Sequence, residues 1–331
     1  YLRYSIPGVF SMNLLGMNFV GSDICGFIGE TNENLCQKWT TLGAFYPFAR
    51  NHNAIGQPSQ EPYAYEGEVR NNMINAIRMR YTLLRYYYTQ MYINSIEGGM
   101  FWQPLFFQFP DEPKAYTDLE RNIMIGPALK LSAVIEEKDH TSQKFLFPKG
   151  VWCDIISLIC TRHYSTTTHP LPTTLDAINI HLWEGSIIPL QLGNPEKIMS
   201  TTDLDSEPTV LFISLNTQTH TASGRLMVDD GITLTDPERM DVEFEFKMID
   251  NDHGALRIQH NTNGYRKSTA SKLDRIIILG ADYTYIYRCN FAQIDKRGPK
   301  IEGVYTSHVN TLEFNFGNVD MNDIGLIEFS I

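Results

Sequence analysis

The chain has 331 residues, of which 43% are hydrophobic, 20% charged and 12% aromatic. This is globular composition, which excludes a disordered, collagenous or coiled-coil protein. The formal net charge is −11 and the 27 Lys and Arg residues form no basic run, so nucleic acid and anionic membrane surfaces are poor partners. No stretch approaches the ~18 consecutive apolar residues of a membrane span.

The opening YLRYSIPGVFSMNLLG has no basic segment followed by an unbroken apolar run, so it does not read as a secretory leader. It reads as the middle of a folded domain, with natural sequence expected upstream. Residues 1–110 hold 7 basic and 7 acidic residues, and 21 of the 39 aromatics. The whole net charge therefore falls on 111–331, and this shift marks a domain boundary near residue 110.

In the first block, Met17 to Asp23 (MNFVGSD) is a short apolar run suited to a buried parallel strand. Thr31 is placed to cap a helix whose apolar face is Leu35, Trp39, Leu42 and Tyr46, ended by Pro47. A longer helix is predicted from about Glu66 to Ser95, with the stripe Val69, Met73, Ile77, Leu84, Tyr88 and Met91, and a stop at Gly98-Gly99. FWQPLFFQF (101–109) reads as a second strand. Strands alternating with helices imply a parallel sheet with helical crossovers. The remainder reads as all-β, with runs at 145–148, 187–192, 209–215, 241–248, 274–279, 311–316 and 326–330. Val242, Phe244, Phe246 and Met248 alternate with charged residues, the half-buried antiparallel pattern of a sandwich.

GSDICGF (21–27) places an acid, a cysteine, a glycine and an aromatic at the carboxyl end of a parallel strand, where α/β folds build their sites. RNHN (50–53) follows a predicted helix, and QEPY (60–63) comes next. Read alone, His52 and Phe27 are more often structural residues than ligand contacts. Arg50 and Arg80 each sit by aromatics and suit pairing with a carboxylate or capping of carbonyls. Cys160, His163 and His169 have the spacing CxxHx5H but no fourth ligand, so no zinc site is expected.

The motifs YSIPGVFSMNLLGMNFVGSDICGF, LCQKWTTLGAFYPFARNHN, QEPY, MRYTLLRYYYT, QPLFFQFP, GPALKLSAVI, FPKGVWCD, GSIIPLQ and SGRLMVDDG follow one another along nearly the whole chain. Together they resemble the α-glucosidases of glycoside hydrolase family 31, in particular the lysosomal acid and intestinal maltase type. The resemblance implies the C-terminal part of a (β/α)8 TIM barrel over 1–110, a proximal antiparallel β-sandwich over 111–200 and a distal one over 201–331. It implies a retaining mechanism with two Asp carboxylates. Neither family motif carrying them occurs here, so the segment contributes no catalytic residue and the pair is expected upstream. By residue match, His52 hydrogen-bonds hydroxyls of the glucose in the −1 subsite and Phe27 packs against that sugar. Asp23 lies near the pocket floor; holding the local turn and contacting the site are equally open readings. Cys25 and Cys36 match a disulfide pair, which implies an oxidising compartment. The resemblance further implies terminal non-reducing α-1,4-linked glucose as substrate (maltose, malto-oligosaccharides, glycogen or starch), no cofactor and no metal. The implied partner is the N-terminal portion of the same enzyme, and the implied location is lysosomal or secreted. Gln103 stands where the family commonly has Arg, and Glu184 where it commonly has a basic residue or Gly. These departures, with the missing carboxylates, keep an alternative: a non-catalytic relative acting as a glycan-binding or structural partner protein.

Overall fold

A computed structural model describes residues 1–136, 141–295 and 298–331. In chain order its helices are α1 (Leu2–Leu14), α2 (Glu33–Gly43) and α3 (Gly67–Glu97). The first ten strands are β1 (Asp23–Ile24), β2 (Arg50–Asn51), β3 (Trp102–Pro104), β4 (Asn122–Ile125), β5 (Leu129–Ser132), β6 (Ser142–Phe147), β7 (Gly150–Asp154), β8 (Cys160–His163), β9 (Thr167–Pro172) and β10 (Ile180–Trp183). The last ten are β11 (Ser186–Leu190), β12 (Thr209–Ser214), β13 (Thr221–Val228), β14 (Met240–Met248), β15 (Gly254–Thr262), β16 (Lys272–Leu279), β17 (Phe291–Ile294), β18 (Lys300–Thr306), β19 (Thr311–Asp320) and β20 (Leu326–Ser330). The chain divides into two units, one of residues 1–81, 90–149 and 163–181, the other of 82–89, 150–162 and 182–331.

In the first unit, α1 forms although Pro7 lies inside it. Proline removes one backbone donor from the helix ladder. Burial of Leu2, Ile6, Val9, Phe10 and Asn13, spaced as one helical face, offsets that loss. The Asn13 side chain accepts a 2.8 Å hydrogen bond from the backbone of Trp102, whose ring lies 5.3 Å from that of Tyr46. Burial pushes the Tyr46 hydroxyl up to about 12, and this group shares a hydrogen bond with Ser5.

Three local expectations are corrected here. The 17–23 run is not a strand; only Asp23 and Ile24 pair, in parallel with Arg50 and Asn51. Upstream, Gly21 is pressed on the carbonyl of Phe48, a position where any Cβ would collide, and the two segments approach without a ladder. The cap of α2 is Asn32, not Thr31: its side chain accepts from Leu35 N at 2.9 Å. Both residues are good caps, and the sequence does not decide between neighbours. The 101–109 run is a strand only as far as Pro104, then a 3₁₀ turn over Leu105–Phe107. β3, β4 and β5 pair antiparallel, as do β6 and β9.

In the second unit the strands join in the order β11-β12-β16-β19-β18-β17-β20-β15-β14-β13 and close into a barrel. The sequence reading expects antiparallel sandwiches here. The difference has a clear origin. Alternation along β14 buries Val242, Phe244, Phe246 and Met248 and exposes Glu243, Glu245 and Lys247, which defines a buried face but not what the edges do. Here the edges meet through a single bridge, Ser186 to Ser223, and β12 runs parallel to β16. Phe246, Phe314 and Phe329 fill the interior, with ring centroids 5.1 to 5.2 Å apart in successive pairs. A charged pair is buried in this unit: Arg225 donates to both carboxylate oxygens of Asp241, each at 2.7 Å.

Candidate functional site

The residues singled out from the sequence leave the same end of one parallel pair. Asp23 lies opposite Arg50 and Ile24 opposite Asn51, so the chains emerging after β1 and β2 start side by side. After β1, Cys25 (φ +73°) and Gly26 (φ +92°) turn the backbone through two left-handed residues. A Cβ on Gly26 would press on the Trp39 ring as well as strain the turn. The turn delivers Phe27 beside His52: the ring centroids are 5.3 Å apart at 39°, and the Phe27 carbonyl accepts from Ala54 N at 2.8 Å. Both side chains are exposed. An aromatic face beside an imidazole suits a ligand with an apolar face and a rim of hydroxyls, because the ring covers the first while the imidazole donates to or accepts from the second.

Two devices fix this turn. A disulfide joins Cys25 to Cys36 in α2, with Cα atoms 4.4 Å apart. The second is the buried side chain of Gln60. Its amide nitrogen shares its protons among the carbonyls of Ile24 (3.0 Å), Gly26 (3.3 Å) and His52 (3.2 Å) and the side-chain oxygen of Asn51 (3.1 Å). Asn51 Nδ2 donates back to the Gln60 carbonyl at 3.0 Å. One amide therefore holds both strands and both emerging segments. The QEPY match contains Gln60, but nothing local in the sequence marks it as a buried organiser.

Asp23 is engaged by Arg50, whose Nε and terminal nitrogen both donate to Oδ1, at 2.9 and 2.5 Å. The same guanidinium lies 5.6 Å from the Phe48 ring centroid. Arg80 donates to the carbonyls of Ala44, Tyr46 and Pro47 at 2.6 to 3.0 Å, satisfying acceptors just past α2. Both arginines thus do what the sequence reading expects of them.

Elsewhere, Cys160 forms a disulfide with Cys153 and cannot act as a thiolate ligand. The sequence reading pairs neither residue. Among the described residues no group of three or more His, Cys, Asp and Glu could hold a metal ion, and no helix is long and apolar enough to cross a membrane. The two departures noted above are both accommodated. Gln103 donates to the Met100 carbonyl at 2.6 Å and accepts from Gln108 at 3.0 Å. Glu184, buried, accepts from Thr217 N at 2.9 Å.

Comparison with known proteins finds the same relationship along the chain. Residues 1–90 match the glycosyl hydrolases family 31 TIM-barrel domain and residues 98–188 the glycosyl hydrolase family 31 C-terminal domain. Lysosomal alpha-glucosidase of Mus musculus is 38% identical over 257 residues, 72% of this chain and 26% of that protein. An alpha-glucosidase of Hordeum vulgare is 33% identical over 318 residues, 94% of this chain and 34% of that protein. The glucosidase II alpha subunit superposes over 100% of this chain and 36% of its own with a TM-score of 0.83, at 22% identity, which shows a common fold. The chain spans roughly a quarter to a third of the length of these relatives. With two consecutive domain matches and identities of 33 to 38%, the chain belongs to glycosyl hydrolase family 31.

Proposed function

We propose that this chain is the C-terminal part of a retaining α-glucosidase that releases terminal non-reducing α-1,4-linked glucose, and that it contributes one wall of the −1 subsite. Residues 1–110 would end the (β/α)8 catalytic barrel, with 111–200 and 201–331 as the proximal and distal β domains. The observation that carries the reading is the placement of Phe27 beside His52 at the end of a parallel strand pair, 5.3 Å apart and both exposed. In this reading Phe27 covers the apolar face of the glucose and His52 hydrogen-bonds its hydroxyls. Asp23, held by Arg50, positions the turn. The two carboxylates that flank the glycosidic bond, about 5–5.5 Å apart in a retaining enzyme, belong to the N-terminal portion of the enzyme, which is the partner of this segment. The disulfide-bearing turn and the lysosomal relatives favour a lysosomal or secreted location.

The test is to incubate the full-length protein with maltose to establish hydrolysis, and with para-nitrophenyl α-glucoside, which yields a single glucose, to follow the anomer first released by proton NMR. Release as the α-anomer before mutarotation supports the proposal. Release as the β-anomer refutes the retaining mechanism, and absence of hydrolysis under acid and neutral conditions refutes the enzyme reading in favour of a glycan-binding or structural role.

A further inference from the structure

The second unit carries an aromatic surface that the proposed subsite does not use. Between β16 and β17 the chain passes through two 3₁₀ turns, Ala281–Thr284 and Ile286–Arg288. Gly280 and Tyr285 precede them in the left-handed region, with φ of +60° and +64°. For glycine this is free; for a tyrosine it is strained and persists only where the surroundings impose it. Ile286 and Cys289 are fully buried and anchor the loop from below, while the Tyr285 side chain faces solvent. The guanidinium of Arg288 lies 5.4 Å from the Tyr285 ring centroid and 5.9 Å from that of Tyr287. Tyr287 in turn lies 5.7 Å from Tyr305, on β18. The four side chains form one strip, Tyr285–Arg288–Tyr287–Tyr305, in which Tyr285, Arg288 and Tyr305 are exposed while Tyr287 is half-buried against the core and holds the strip together.

The rim of the strip is polar and acidic, with Asp252 beside Arg288 and Asp282 near Tyr305. Asp252 lies 3.8 Å from Arg288, and the Tyr305 hydroxyl donates to Asn310 at 2.9 Å. A polyanion is disfavoured, because one guanidinium faces the Asp252 carboxylate and the chain as a whole is strongly acidic. A purely apolar partner would leave Arg288 and Asp252 desolvated and imperfectly paired. What fits is a neutral ligand with repeating apolar faces and hydroxyl edges: pyranose C–H faces cover the tyrosine rings while the hydroxyls meet phenol, guanidinium, carboxylate and amide groups.

We propose that this strip is a binding platform for a neutral α-glucan chain. The choice of α-glucan among carbohydrates rests on the α-glucosidase reading above.

The experiment is native affinity electrophoresis of the full-length protein in gels with and without glycogen. It compares wild type with Tyr285→Asn, which suits a left-handed backbone but lacks the ring, and Tyr305→Thr, which suits a strand. Tyr285→Phe keeps the ring. Glycogen is expected to retard the wild type and Tyr285→Phe, and the apparent affinity of the first two variants should fall at least about fivefold each. Their turnover of a small chromogenic α-glucoside should equal that of the wild type. Retardation unchanged in both variants overturns the platform. So does an unretarded wild type, and so does a change only in self-association. Glycogen binding without hydrolysis would sink the enzyme reading but not the platform; hydrolysis with unaltered retardation would do the reverse.

Discussion

Lys130 offers a quantitative test of the packing around β5. It is fully buried, its ammonium lying 4.2 Å from the Phe147 ring centroid and 2.5 Å from the hydroxyl of Ser132. Burial lowers it from 10.5 to about 7; Asp118 opposes the shift and Arg121 adds to it. His163, stacked on the same phenyl ring, and His181, edge-on to it, are held down to about 4 and about 3, first by burial and then by neighbouring charge. The sign follows from linkage. Between pH 10.5 and 7 the unfolded chain binds a proton at Lys130 that the native chain does not, so stability falls as pH falls. The loss is up to ~1.4 kcal/mol per pH unit and roughly 5 kcal/mol in total, fully present below pH 7. Lys130→Met removes this penalty and keeps an unbranched side chain of similar length. It leaves the Ser132 hydroxyl unpaired, at a cost of ~1–2 kcal/mol. The variant should therefore be more stable by about 3 kcal/mol at pH 6 and melt at a higher temperature there. The advantage should shrink as pH rises and reverse above about pH 9. Thermal melts of the full-length protein from pH 6 to 10 read this out. A variant that melts below the wild type at pH 6, or parallel to it at every pH, refutes the reasoning.

Three further outcomes are expected. Arg225→Met removes the guanidinium that pairs with the buried carboxylate of Asp241 and should destabilise the second unit by about 3–5 kcal/mol in urea unfolding, whereas adding Asp241→Leu should restore most of the loss. Replacing Cys25 and Cys36 together by Ser releases a loop of sequence separation 11, which loop entropy values at about 3 kcal/mol; faster proteolysis within 28–33 is the measurement, and an unchanged rate contradicts it. Gln60→Leu leaves the carbonyls of Ile24, Gly26 and His52 without their shared donor, so kcat/KM on maltose should drop about tenfold or more while β-domain unfolding is unchanged.

Periodicity carried the long helix and the alternating strands. α3 runs Gly67–Glu97 and stops at Gly98, close to the predicted range, but its buried face is Met73, Ala76, Leu83, Tyr86 and Tyr87, and of the predicted stripe Ile77 and Tyr88 are exposed. α1 was hidden by Pro7 and Gly8, although Leu2, Ile6, Val9 and Phe10 already traced one face. The two-residue strands β1 and β2 are too short for any periodic signal. Barrel closure depends on edge pairing through one bridge, which alternation cannot encode. At the candidate site, the strand-end position of GSDICGF points to Asp23 and Phe27, and the roles proposed for them and for His52 come from motif resemblance. What the sequence did not show was how they are held: Gln60 acts across loops 8 to 36 residues away, and Arg50 reaches Asp23 across 27. The Cys153–Cys160 disulfide was equally illegible, since five cysteines allow several pairings.

His52 carries the proposed subsite most directly. If its imidazole hydrogen-bonds the glucose in the −1 subsite, these bonds strengthen in the transition state. Their loss should then cost about 3 kcal/mol, or about a hundredfold in rate. The measurement is kcat/KM for maltose with the full-length wild type and His52→Ala, with matching melting curves to show that both are folded. The account predicts wild-type hydrolysis and a drop of about a hundredfold in the variant. A folded variant within threefold of an active wild type would remove His52 from the subsite and with it the proposed role of this segment.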